Sequence, residues 1–257
     1  MAAASALAEK PNRLEKIFLN TNDSLNPYGI YGVNLYSLGV KHTVLIDDLL
    51  PLEKIQNSDW TYSWETMFGH IGEDSSLWGP ILEKAFAKLH GNYEHIIEGN
   101  PREAALTLTG SPSLYQLHEE YTLEQIWSEL LLHDANHEMI FFNTPVFPNG
   151  VEKNACGLTT GHAYVVLTAK KLSNGARLVK LRNPWGEESY SCAYSDDSQR
   201  WTPELRAEAG ATESAENDGI FYMTIEDYHR QGLVTVISYD TTGWYHSHFL
   251  MFDDPKA

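Results

Sequence analysis

Two short stretches of the sequence carry residue types that could work together, Gly161-His162-Ala163-Tyr164 and Arg182-Asn183-Pro184-Trp185-Gly186. A histidine at the head of one strand and an asparagine at the end of its hairpin partner would set a carboxamide beside an imidazole. The amide oxygen would accept from one ring N–H and fix the tautomer, leaving the other nitrogen to take a proton from a thiol. That is the working half of a Cys-His-Asn site. One point of geometry resists it: a strict two-residue turn at Asn174-Gly175 pairs Asn183 with Val166, four residues and roughly 13 Å from His162. The pairing therefore requires a bulge or a longer, asymmetric loop. On spacing alone, a satisfied core histidine and a turn asparagine before a proline are the preferred account of these residues.

The elements that must position the pair are strands. From about residue 139 the pattern is strand-rich, with Met139 to Asn143, Gly161 to Ala169, Arg177 to Arg182, Ile220 to Met223 and Leu233 to Tyr239. Ahead of them, Leu123, Ile126, Trp127, Leu130 and Leu131 predict a helix from Thr122 to about His133. The first part is more helical. A short helix is expected through about Asn20, then a turn-rich stretch from Thr21 to Tyr28. Strand-like runs at Gly29 to Leu38 and His42 to Ile46 suggest a hairpin, and Leu77 to Leu89 recurs at helical spacing after Glu73-Asp74 and closes at Gly91. Between Gly99 and Ser113 the pattern weakens into Gly-Asn-Pro and Gly-Ser-Pro-Ser, where a boundary is expected. Helices followed by strands argue for an α+β fold, with a first subdomain over 1–100 and a second over 101–257.

With 42% hydrophobic residues in 257, the chain can bury a core. Eighteen Lys and Arg against 35 Asp and Glu give a formal net charge of −17, which disfavours nucleic acid and anionic membrane surfaces as partners. No apolar run reaches the length that spans a bilayer. Two cysteines, Cys156 and Cys192, make no disulfide framework, and a reducing, cytoplasmic compartment is expected. Cys156 reads as a loop thiol without a helix N-terminus to activate it, and Cys192 as a packing residue. His133 and His137, with His246 and His248, could be considered for zinc, but no third ligand has diagnostic spacing and solvated histidines are expected instead. The acidic, Ala-rich run from Glu204 to Glu216 reads as a solvated loop.

The stretches Gly161 to Val166 and Leu181 to Gly186 resemble the His and Asn signatures of the calpain family of papain-like cysteine proteases. Thr43 to Asp48 with Leu50-Pro51, Leu77 to Leu89, Leu108-Thr109-Gly110, Tyr194-Ser195-Asp196 and Asp218 to Phe221 agree in order, so the resemblance covers nearly the whole chain. It implies a papain-like architecture acting on protein or peptide substrates, with His162 as general base, Asn183 as its orienting partner and Trp185 shielding their bond from water. It also implies that Ser5 to Pro11 belongs to the nucleophile's own helix, so that the cysteine would match a position just upstream of Met1. Neither Cys156 nor Cys192 substitutes for it. The expectation is a truncated calpain-type catalytic core that does not itself cleave peptides, with a non-catalytic binding module as the alternative. Calcium is the cofactor that the resemblance implies. Asp196 and Asp218 match ion-holding positions, Ser189 and Ile220 stand where the family often has Glu, and Glu188 and Asp197 are neighbours able to compensate. Asp196 and Asp218 acting simply as turn caps is the other reading.

Overall fold

The computed structural model describes residues 2–19, 25–72, 75–211, 217–245 and 247. Proline and glycine set the first elements. The single N-terminal helix expected through about Asn20 is two helices, α1 (Ala2–Ala8) and α2 (Pro11–Ile17). Pro11 has no N–H to continue the first helix and a φ suited to opening the second. Asn20 and most of the turn-rich stretch lie outside the described residues. The expected hairpin forms from β1 (Ile30–Ser37) and β2 (Val40–Asp47), turning through Leu38 and Gly39, both at positive φ. A second hairpin, β3 (Leu52–Gln56) and β4 (Tyr62–Thr66), stands apart. Most of its residues are exposed, which is why no alternation announced it. The helix predicted from Leu77 is α3 (Trp78–His90), closed by Gly91.

Residues 99–113, expected as a loop-like boundary, instead hold α4 (Pro101–Thr109). The breakers there are end signals. The Asn100 side chain accepts from Arg102 N, Pro101 opens the first turn, and Gly110 ends the helix at a left-handed φ of 71°. A long antiparallel sheet follows, from β5 (Ser113–Leu117), β6 (Met139–Asn143), β7 (Ala163–Lys171), β8 (Arg177–Arg182), β9 (Ile220–Thr224) and β10 (Val234–Ser238). Their spatial order is β5-β10-β6-β7-β8-β9. Three helices interrupt them. In α5 (Leu123–Ala135) Thr122 and Gln125 form a capping box, α6 (Pro203–Ala209) occupies the start of the acidic run expected as a loop, and α7 (Ile225–Gln231) follows β9 directly. The architecture is α+β.

Alternation along the strands divides the core between the two faces of the sheet, with a third, smaller cluster of Leu172, Leu178, Tyr194, Leu205 and Tyr222 beside α6. Phe141, Val165, Val234 and Val236 pack on one face with α1, α3, α4 and the β1–β2 hairpin. Ile140, Phe142, Tyr164, Val166, Leu181 and Phe221 pack on the other with α5 and α7. Helix α1 lies against β7 through its buried residues Ala2, Ala3, Ala6 and Leu7, and Glu9 just beyond it pairs with Arg182 of β8.

Candidate active site

The β7–β8 hairpin decides whether His162 and Asn183 can meet. Its turn is wider than a two-residue Asn-Gly turn: the last strand pair is Lys171↔Arg177, and Leu172 N donates to Ala176 O at 2.8 Å. That moves the register by one residue. A bulge between Val166 and Thr168 moves it by one more, giving Val166↔Leu181 and Val165↔Arg182. Continued one step, the ladder sets Asn183 across from Tyr164, two residues and about 7 Å from His162 on the same face. The bulge and the wider loop, expected as alternatives, are both present.

The imidazole and carboxamide are in contact, with His162 Nε2 to Asn183 Oδ1 at 2.8 Å. Each partner is held by its backbone. His162 N donates to Thr144 Oγ1 at 3.0 Å, Thr144 N donates to His162 O at 3.0 Å, and the Thr144 hydroxyl donates to Thr159 O at 2.6 Å. Asn183, 6% exposed, donates from its main chain to Gly219 O at 2.8 Å and from Nδ2 to Glu187 O at 2.7 Å. Because Nδ2 is committed to that carbonyl, Oδ1 faces the ring as acceptor, and Nε2 carries the proton. Trp185 N also donates to Oδ1, at 3.2 Å. The Trp185 ring lies over His162 with centroids 4.2 Å apart at 44°, while 60% of the residue stays exposed. Tyr164 meets the His162 ring edge-on at 4.8 Å. Burial holds the His162 pKa below the ordinary imidazole value, and the bond to Asn183 partly offsets it.

The model of the calpain family cysteine protease matches residues 1–236. The chain belongs to the calpain family. It is 30% identical to calpain-12 of Homo sapiens over 234 residues, which is 89% of this chain and 31% of that protein. It is 31% identical to calpain-14 of Homo sapiens over 248 residues, 95% of this chain and 34% of that protein. It is 28% identical to the calpain-type cysteine protease DEK1 of Arabidopsis thaliana over 233 residues, 88% of this chain and 10% of that protein. The chain thus spans about a third or less of these calpain relatives.

The cysteines of this calpain-family chain depart from expectation. Cys156 and Cys192 are joined to each other, Cα atoms 5.2 Å apart, so neither the loop thiol nor the lone packing residue exists. Spatial neighbourhood hidden by 36 positions of sequence explains it: the loop before His162 runs along the loop after Asn183, with Ser191 N donating to Cys156 O at 3.0 Å and Ser189 Oγ to Gly157 O at 2.6 Å. Gly157, at φ +81°, has Ser189 O only 1.8 Å from where a Cβ would stand. His133 also differs from the solvated residue expected. It is buried, with Nε2 2.9 Å from Glu129 Oε2 and Nδ1 bonded to Glu138 Oε2, which leaves no ring nitrogen for zinc. His246 and His248 lie outside the described residues.

The acids after Asn183 form a separate group. Burial first, and then the charge of Asp196, push the Glu188 carboxyl up to about 8, with Asp218 and Asp197 adding to the effect. Burial likewise raises Asp196. Glu188 Oε2 is buried and receives no donor among the described residues. An orphaned oxygen within an all-oxygen, mutually repelling group suits a hard cation. Among the described residues, however, no three acidic or histidine side chains converge as a finished metal cage. Asp218 also acts as a turn cap, its Oδ1 accepting from Ile220 N at 2.8 Å. Sequence reasoning named Glu188 only as a neighbour and missed Thr144, whose clamp on His162 leaves no motif.

Proposed function

We propose that this chain is the imidazole-bearing part of a calpain-type cysteine endopeptidase core acting on protein or peptide substrates, and that the 257 residues alone do not turn substrate over. The observation that carries the reading is the 2.8 Å bond between His162 Nε2 and Asn183 Oδ1. With the proton on Nε2, the Nδ1 lone pair is the base. It takes the proton of a thiol as sulfur attacks the substrate carbonyl, then delivers it to the leaving amine. In the second half Nδ1 takes a proton from the water that attacks the acyl–sulfur bond and returns it to the thiolate. Asn183 holds the ring and stabilises the imidazolium as it forms, and Trp185 keeps water off their bond. The thiol is not among these residues, whose two cysteines are bonded to each other.

In this proposal residues 1–100 and 101–257 contribute to two subdomains with the site between them. Calcium, where bound, would neutralise the repulsion among Glu188, Asp196 and Asp218, and those residues would hold it. A cytoplasmic location is part of the same reading. Glutathione and thioredoxin would there hold the Cys156–Cys192 pair reduced. A non-catalytic binding module is the second reading.

Casein hydrolysis by this chain, with and without calcium, tests the proposal. No turnover above blank is expected in either condition, and turnover sensitive to thiol reagents overturns the assignment. The coding sequence ahead of Met1 separates the two readings. An in-frame Gly-Asp-Cys segment supports the endopeptidase, and a different residue at the cysteine position supports the module.

A further inference from the structure

A cavity of small-molecule size lies away from the imidazole. It has a volume of about 700 Å³, within the range of small-molecule sites, and lies among the α1–α2 junction, the β1–β2 turn, the end of α4, the start of β6 and the end of β10. Four cations line it: Lys10, Arg13 and Lys16 from the α1–α2 segment and Lys41 from β2. That is a concentrated share of 18 basic residues in a chain with 35 acidic ones.

The two carboxylates in the wall, Glu138 and Asp240, are already engaged. Glu138 is bonded to the His133 ring, and Asp240 accepts from Thr242 N at 2.9 Å and from Thr242 Oγ1 at 2.5 Å. The Arg13 guanidinium donates only to backbone carbonyls, those of Ala6 at 2.7 Å and His137. Lys16 Nζ donates to the Thr242 hydroxyl at 2.8 Å. None of the four cations forms an ion pair among the described residues. Burial and the nearby Arg13 hold Lys10 below the ordinary lysine value, against the opposing pull of Asp134 and Asp240. Ser238, also in the wall, has a buried hydroxyl with no partner among the described residues.

Four cations against two carboxylates, one of them committed to the His133 ring, leave the wall net positive, and a concave wall of one sign draws in an anion. We propose that this cavity binds a small polyanion carrying at least two carboxylate or phosphate groups, held by Lys10, Arg13, Lys16 and Lys41. The site is independent of the His162–Asn183 pair and of any protease activity.

Thermal unfolding of the 257-residue chain in calcium-free buffer at pH 7.5 tests it. Citrate and pyrophosphate serve as separate probes, each against sodium chloride at equal ionic strength. At a probe concentration tenfold above Kd the midpoint should rise by roughly 3–5 °C beyond the chloride control. A rise with citrate alone identifies carboxylate chemistry, with pyrophosphate alone phosphate chemistry, and with both a site that selects charge. The double variant Lys10→Gln/Lys41→Gln, with both changes outside the packed core, should lose the rise, and calorimetric titration should show at least tenfold weaker binding. The single variant Lys41→Gln, at an exposed strand position, serves if the double variant unfolds. Equal midpoints in probe and chloride, or an undiminished rise in the variants, overturns the proposal.

Discussion

Replacing Asn183 by leucine removes the acceptor facing His162 Nε2 while keeping a side chain of similar volume, so water does not fill the space. Among the described residues, Asn183 Oδ1 is the hydrogen-bond partner of that nitrogen, at 2.8 Å, and its bond opposes the burial that weakens protonation. A single hydrogen bond is worth about 0.5–1.5 kcal/mol net, so the proton affinity of His162 should fall roughly two- to twelve-fold. Asn183→Asp should act in the opposite sense, because a carboxylate at the same distance favours imidazolium. The assay is a pH titration of the His162 ring nitrogens by long-range nitrogen–proton NMR. The same spectra report the tautomer, expected as Nε2–H in the native chain and mixed in the leucine variant. Asn183→Leu also strands Glu187 O and Trp185 N, which now bond to the amide at 2.7 and 3.2 Å. Stability should therefore fall by about 1–3 kcal/mol. If both substitutions leave the His162 titration where it is, or move it in the same direction, the amide does not govern the ring and the proposed mechanism loses its basis.

Trp185→Ala should raise the proton affinity of His162 in the same NMR titration, since the tilted indole 4.2 Å away is part of what desolvates the ring. His118 is held at about 4 by burial, so the unfolded chain binds an extra proton between pH 6.5 and about 4. Stability should fall as pH drops through that window, by about 3 kcal/mol in total, and His118→Gln should flatten the fall in urea titrations at pH 7 and 4.5. Reducing the Cys156–Cys192 bond opens a loop of 36 residues' separation and should cost about 4 kcal/mol on the loop-entropy argument. Mass spectrometry after alkylation of the denatured chain should show two added groups with reductant and none without it. Calcium should raise the thermal midpoint of the native chain and not that of Glu188→Gln, with an equal rise in both arguing against the acidic group as its site.

Much of the second half was legible because its strands alternate or run apolar between turn residues, and Thr122 with Gln125 spelled out the start of α5. The imidazole–amide pair was legible as residue types, and the need for a register correction followed from counting. Its form did not, because a bulge at Leu167 and a widened turn have no residue signature in Val-Leu-Thr or Leu-Ser-Asn-Gly. Helix α4 was misread because Asn100-Pro101 and Gly110 serve equally well as loop residues and as helix ends. The disulfide was illegible for a different reason: pairing depends on two loops meeting, and neither cysteine's local sequence carries that information. Nor does local sequence show that Glu188, rather than Asp196 or Asp218, is the carboxyl left without a donor.

The β7–β8 hairpin imposes an odd–even rule on the chain. Each one-residue change in pairing sends every side chain beyond it to the opposite surface, so the bulge and the widened turn succeed only as a pair. Removing either alone would aim the imidazole and the carboxamide at different faces of the sheet, however well each strand packed. Length variation between Ala163 and Arg182 should therefore be tolerated in twos, and a lone insertion there should part the pair and turn core side chains such as Tyr164 and Val166 outward with it.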